Sequence, residues 1–228
     1  MTLPQIVSRE EWQAAREELL VKEKAATRAR DALNAERRGL PMVEIDKEYV
    51  FESGDGKATL SDLFRGRDQL VLYHFMFAPE WDAGCRSCSA FLDQLGHLAH
   101  LRARGTEFAA VSRAPYTKLL PFKARMGWTV PWYSSYDSDF NYDFQVSFAG
   151  QEPYERPGMS CFLRDRGRVF HTYSTYERGL DGLGSTASLL DLTALGRQEE
   201  WEEPKGRASA LGAPAGSERV RYHDEYEI

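Results

Sequence analysis

The sequence is short of cysteine, with three in 228 residues: Cys85, Cys88 and Cys161. Three cannot staple a chain of this size into a disulfide scaffold, so their use is chemical or incidental to packing. Any long apolar run is missing too. The longest, LVLYHFMF at 70–77, contains a histidine and falls far short of the ~20 residues that span a bilayer. Residues 8–38 are charged almost throughout and hold no apolar block of the secretory kind. These gaps together predict a cytoplasmic chain in a reducing setting, with no membrane partner. Basic residues are in deficit as well: 29 Lys and Arg stand against 35 Asp and Glu, a formal charge of -6. That balance offers nucleic-acid phosphates no general attraction and argues against nucleic acid as a partner. The basic cluster from Lys22 to Arg38 is interleaved with Glu23, Asp31 and Glu36 and reads as a solvated helix face.

What is present divides into three stretches. In residues 1–39, Ser8 and Glu11 have capping-box spacing, and Trp12, Ala15, Leu19 and Leu20 follow as a helical apolar stripe. A helical arm is expected to about Arg38, stopped by Gly39 and Pro41. Residues 40–196 carry the domain, and residues 197–228 read as an acidic, partly flexible tail. Whether the closing RVRYHDEYEI docks back is open.

Within the domain, EYVFESGDGKATL predicts a hairpin turning at Gly54-Asp55-Gly56, and Ser61 to Phe64 a short turn or helix. LVLYHFMF is apolar on both faces, as for a strand covered on both sides. Leucines and Phe91 at helical spacing predict one helix over 86–104, with Gly105 as its stop. TEFAAVS at 106–112 is the next strand, and a helix near 116–126 begins at, or is kinked by, Pro121. SCFLRD and RVFHTY make a hairpin across Arg166-Gly167, and a helix over Ser185–Leu195 closes the domain. This order implies a right-handed crossover between parallel strands with an antiparallel hairpin at the edge, a mixed α/β sheet flanked by helices.

Cys85 and Cys88 fall between a predicted strand and a predicted helix. Cys85 would then occupy a helix N-terminus, whose unpaired amides stabilise a thiolate. Three-residue spacing puts Cys88 one turn further on, within reach of a mixed disulfide formed at Cys85. Arg86 favours the thiolate and Asp82 opposes it. Half of a metal site and two inert thiols are the competing readings. No second CxxC or HxxxH completes four metal ligands, so no metal and no cofactor are expected. Cys161, within a strand, reads as a small buried hydrophobe.

The segments YHFMFAPEWDAGCRSCS, FKARMGWTVPWYSSYDSDFNYDF and VFHTYSTYERGLDGLGSTASLLDLTALGR resemble the bacterial thioredoxin-like family catalogued as domain of unknown function 899. The resemblance runs from about Ser8 to Arg207 and again over the HDEY near the end. It implies a thioredoxin-like fold and no settled activity. Compared with thioredoxins, His74 stands where a buried acid stands, which implies a proton shuttle for the resolving thiol; a hydrogen-bonded core histidine is the alternative. The connection to Cys85 is longer than in thioredoxins and contains Pro79, Trp81 and Gly84. Met159, in GMSCF, takes the place of the cis-proline facing the cysteines, so Met159 and Ser160 form an altered substrate platform. Peroxiredoxins carry a Thr three residues before their reactive Cys and an Arg near the place of Met159. Here Asp82 and Met159 stand there, so a standard peroxiredoxin site is not expected.

Residues 128–154 are dense in aromatic rings that either wall a ligand cleft or form a satellite core. Trp81 and Trp132 are the cleft candidates. His171, with Glu177 and Arg178, offers an acid/base pair or simply structural hydrogen bonds. The expected activity is thiol-disulfide exchange with a protein or low-molecular-weight disulfide or thiol. Cys85 attacks, Cys88 resolves, and Trp81, Arg86, Trp132, Met159 and Ser160 contact the substrate. A thiol peroxidase that oxidises Cys85 to a sulfenic acid stays open. So does a non-catalytic binding or oligomerising module, with homodimerisation undecided.

Overall fold

The computed structural model describes residues 3–206 and 214–227, without the side chain of Ser217. Helix α1 (Arg9–Arg38) begins at a full capping box. The Glu11 amide donates to Ser8 Oγ at 3.2 Å, and the Ser8 amide donates to Glu11 Oε2 at 2.9 Å. None of its residues is buried. Near its end the Arg37 guanidinium lies 4.7 Å over the Tyr173 ring.

An eight-stranded sheet organises the rest, in the order β1-β10-β9-β4-β5-β6-β2-β3. These strands are β1 (Val43–Glu44), β2 (Val50–Ser53), β3 (Gly56–Thr59), β4 (Gln69–His74), β5 (Thr106–Ser112), β6 (Trp132–Ser134), β9 (Gly158–Asp165) and β10 (Arg168–Tyr176). The short β7 (Ser147–Phe148) and β8 (Tyr154–Glu155) pair separately. Strands β4, β5 and β6 run parallel, while β9 lies antiparallel to β4 and β10 antiparallel to β9. After β4 come α2 (Arg86–Asp93) and α3 (Ala99–Arg102), after β5 comes α4 (Tyr116–Arg125), and after β10 comes α6 (Ser185–Leu190). A central β4 flanked by parallel β5 and antiparallel β9, with helical crossovers, is a thioredoxin-like arrangement.

Both hairpins turn where expected. Arg166 (φ 49°) and Gly167 (φ 79°) join β9 to β10 with two left-handed residues, which matches the twist of the strands. The helix expected over 86–104 is instead two, α2 and α3. The chain between them contains Gly96, and the ring of His97 accepts the Ala99 amide at 3.2 Å, a local turn that competes with helix. Helix α4 starts at Tyr116, well before Pro121, which lies inside it. Helix α6 ends at Leu190, short of Leu195.

Two apolar clusters fill the two faces of the sheet. One gathers Tyr73, Phe75 and Phe77 with Cys88, Leu92, Phe122 and Trp132. The other gathers Leu70 and Leu72 with Phe51, Phe64, Phe140, Phe144 and Phe162. The aromatic segment 128–154 supplies both. Trp128 and Trp132 pack in the first, whereas Tyr133, with Phe140 of α5 (Phe140–Asp143) and Phe144, packs in the second. Among the described residues no helix is long and apolar enough to cross a membrane.

Candidate functional site

Strand β4 ends at His74 and the chain returns to its end, where the Cys85 amide donates to the Met76 carbonyl at 3.0 Å. Gly84 makes this return fit: a Cβ there would stand 2.5 Å from the Phe75 ring. Cys85 is then the N-cap of α2, with extended backbone (φ -59°, ψ 132°). Its carbonyl accepts the Ser89 amide and the Ser89 hydroxyl, each at 2.9 Å. Cys85 is half-buried, Cys88 is buried, and both are free thiols.

The two sulfurs have opposite acidities. The Cys88 thiol donates to the Cys85 sulfur and, against a smaller desolvation cost, the amides of Cys88 and Ser87 and the Ser87 hydroxyl join it. Together they pull the Cys85 pKa down to about 6. Burial pushes the Cys88 thiol well above its ordinary value, and the neighbouring Cys85 adds to that; the Tyr73 hydroxyl and the Met76 amide oppose it as donors. Tyr73 itself stays protonated because it is buried beside the two sulfurs. The pair is therefore a thiolate held by donors next to a thiol held neutral.

Arg86 is mostly exposed. Its guanidinium lies 5.4 Å over the Tyr222 ring and 3.9 Å from Glu225, contacts with the C-terminal segment. That segment does dock back. Tyr222 is 7% exposed, donates to the Gly84 carbonyl at 2.5 Å and packs edge-on against Phe122. Arg125 pairs with Asp224 and Glu225, and His223 contacts Asp93 at 2.9 Å. Residues 207–213, within the stretch read as flexible, lie outside the described residues.

Not every expected site residue joins the thiols. His74 does not, because the two-residue period of β4 sends Tyr73 and Phe75 to the cysteine face and His74 to the other. It is 1% exposed, stacks on Phe140 and Phe144, and its Nε2 lies 2.8 Å from Ser160 Oγ. Desolvation, helped by His171, drops its pKa to about 3, so it is a neutral core histidine. Ser160 is on the same far side, tied to His74 and Ser174. Met159 does reach the cysteine face, opposite Tyr73 in the β4–β9 pairing. Trp132 is buried, its Nε1 donating to Ser112 Oγ at 3.0 Å, and Trp81 packs against the same cluster. Neither tryptophan borders the cavity beside the motif. That cavity, about 890 Å3, is lined by Tyr73, Ser87, Cys88 and Phe91 on the cysteine side. Tyr73 is the site residue that sequence reading passed over; the alternation of β4, counted from Phe75 and Phe77, is the signal that finds it. Cys161 is a free, half-buried thiol whose pKa burial raises. No cluster of three or more His, Cys, Asp or Glu suited to a metal occurs among the described residues.

A cysteine pair capping the helix that follows the central strand, in this sheet order, defines a thioredoxin-fold protein. The chain belongs to the family described as bacterial protein of unknown function, DUF899, whose model matches residues 1–226. No curated protein matches it. Among solved structures it is similar to the bacterioferritin comigratory protein of Xanthomonas campestris, studied for alkyl peroxide reduction, at 18% identity. That match covers 63% of this chain and 91% of the other, with a TM-score of 0.45. The peroxidoxin BcpB of Mycobacterium tuberculosis matches at 18% identity over 58% of this chain and 84% of its own, with a TM-score of 0.43. A putative thiol:disulfide interchange protein DsbE from Chlorobium tepidum matches at 19% identity over 69% of this chain and 99% of its own, with a TM-score of 0.41.

Proposed function

We propose that the chain is a thiol-disulfide oxidoreductase in which Cys85 attacks and Cys88 resolves. One observation carries the reading: a half-exposed Cys85 caps α2 with the amides of Ser87 and Cys88 around its sulfur, and a buried Cys88 sits one turn behind. The Cys85 thiolate bonds to one sulfur of a substrate disulfide, and the other sulfur leaves as a thiolate that takes up a proton. Cys88 then gives up its proton and bonds to Cys85, and the second substrate sulfur leaves. The protein pair ends oxidised and the substrate reduced by two electrons.

The test is reduction of a model disulfide by the full chain. Cys85→Ser is expected to abolish it, whereas Cys88→Ser retains the first step and accumulates a mixed disulfide at Cys85, seen by mass. Full activity in both variants would exclude this mechanism. Alkylation of Cys85 by iodoacetamide should show a midpoint near the depressed value of about 6. Peroxide consumption without disulfide reduction would favour a thiol peroxidase instead.

A further inference from the structure

Helix α1 spans 30 residues, a length of about 45 Å, and none of them is buried. Most helices in proteins draw their stability from an apolar face packed on something else. Such a face is present. Trp12, Leu19, Ala26 and Leu33 recur seven residues apart, with Ala15 and Ala29 three positions on, so they form one stripe along the helix. Lys22 and Glu36 take the remaining places in it. Trp12 is 48% exposed, Leu19 50% and Leu33 54%, so the rest of the described chain leaves the stripe open along its length.

Charge runs unevenly along the same helix. Arg9–Glu23 holds five Glu against three Lys and Arg, a net -2, whereas Lys24–Arg38 holds five Lys and Arg against two Asp and Glu, a net +3. Two copies laid parallel would set acid against acid and base against base. Laid antiparallel, the acidic half of each meets the basic half of the other, and charge complementarity of this kind sets the direction of a helix pair. The ends fit the same direction. Ile6 and Val7 are exposed ahead of the helix, Leu40 and Met42 are exposed just after it, and full antiparallel overlap brings one apolar end onto the other.

We infer that α1 is a self-docking surface on which a second copy of this chain lays its own α1 antiparallel. The pairing is isologous: each contact occurs twice, about a two-fold axis near residues 23 and 24. Ala15, Ala26 and Ala29 let the helix axes approach, and Trp12, Leu19 and Leu33 supply the apolar area that leaves water. Lys22 lies beside the axis, where a polar residue in the seam narrows the registers that fit. Neither cysteine of the pair takes part.

Sedimentation of the full parent chain from about 1 to 100 μM tests the pairing. At the upper end the expected mass is twice the 26.0 kDa of one chain. Leu19→Glu with Leu33→Glu puts carboxylates into the seam and should raise the dissociation constant at least about hundredfold, returning the mass to that of one chain. Val21→Glu, at an apolar position turned away from the stripe and 67% exposed, should leave the parent's mass unchanged. Glu17→Lys with Glu18→Lys, and separately Arg28→Glu with Arg30→Glu, should each weaken self-pairing about tenfold, and mixing the two variants should restore the pair. Direction is read by oxidative cross-linking, with the bond located by peptide mass. Lys22→Cys lies within about 5 Å of its counterpart along the axis and should link, whereas Ala15→Cys stands about 26 Å from its counterpart and should not. The iodoacetamide midpoint of Cys85 should match the parent's in every variant, which reports an intact domain. A single-chain mass for the parent at every concentration would assign the stripe to a different protein and overturn self-docking, as would a dimer that Leu19→Glu with Leu33→Glu leaves intact. Linking at Ala15→Cys would overturn the antiparallel direction.

Discussion

Tyr73 and His74 are neighbours in one strand, yet they belong to two different electrostatic worlds. On the face of Tyr73 lie two thiols, an aromatic hydroxyl and the first turn of α2, and there the charged form of Cys85 has donors. On the face of His74 lies a chain of four neutral groups. His74 Nε2 meets Ser160 Oγ at 2.8 Å, Ser160 meets Ser174 at 2.7 Å, and Ser174 meets His171 Nε2 at 2.8 Å. Burial lowers the pKa of both histidines, and His74 Nδ1 is buried without a partner. Burial is common to the two faces. What separates them is that only the cysteine face offers the ionised group something to bond, and a reactive site needs that second condition.

The largest expected effect breaks the quiet face. His74→Ala removes a fully buried ring stacked on Phe140 and Phe144 and should cost about 3 kcal/mol of stability by the cavity it leaves. The alkylation midpoint of Cys85 should not move; a shift of about one unit would return His74 to the thiol circuit. A second variant, His74→Phe, keeps the stack and removes the titration. The folded pKa of His74, about 3, lies below the unfolded value of about 6.5, so between these limits the unfolded chain binds the extra proton. Stability of the parent protein should therefore fall as pH drops through that window, at up to about 1.4 kcal/mol per unit for this site. His74→Phe should flatten that slope in denaturant titrations at several pH values between the limits, and an unchanged slope would mean that His74 does not titrate with folding.

A smaller effect is expected one residue earlier, and of the opposite kind. Tyr73→Phe keeps the ring that stacks on Phe91 and deletes the hydroxyl that donates to Cys88. Losing one hydrogen bond to a charged sulfur, worth about 1.5 kcal/mol, should slow resolution about tenfold. The readout is the lifetime of the mixed disulfide at Cys85 after a single turnover, with its rate of formation unaltered. Equal slowing of both steps would mark Tyr73 as a packing residue instead.

The contrast also explains which parts of the molecule were legible in sequence. Hairpins at Gly54–Gly56 and Arg166-Gly167 were readable because each carries a left-handed glycine, Gly56 (φ 99°) in one and Gly167 (φ 79°) in the other, and glycine marks such a position locally. The cysteine pair was readable because its spacing and its place after a buried strand are local as well. The role of His74 was not, since strand face depends on register, and a run apolar on both sides conceals which side faces the helix. The buried placement of Trp132 and Ser160 was hidden for a related reason. Residue type made them attractive, but β5 and β10 supply their hydrogen-bond partners, Ser112 and Ser174, from distant sequence. The single helix expected over 86–104 failed on a local conflict, the His97 turn, that apolar periodicity does not register.

The smallest predicted effect concerns the C-terminal segment that covers the cysteine face. Arg125 meets Asp224 at 2.7 Å and Glu225 at 3.0 Å, and all three side chains are partly exposed. Exposed ion pairs contribute little to global stability, so Arg125→Gln should leave the denaturation midpoint nearly in place. Tyr222 is held between Arg125 and Arg86, with guanidinium carbons 4.9 Å and 5.4 Å from its ring centre, and loosening one clamp should let the segment lift more often. Labelling of Cys85 by a bulky maleimide should then rise about twofold, and salt near 1 M, where the screening length is about 3 Å, should raise it in the parent protein also. Amide exchange in β10, around the buried serine and histidine chain, should stay unchanged in the same variant. If exchange there accelerated as much as at Tyr222, the segment would be part of the common core and not a separable cover over one face.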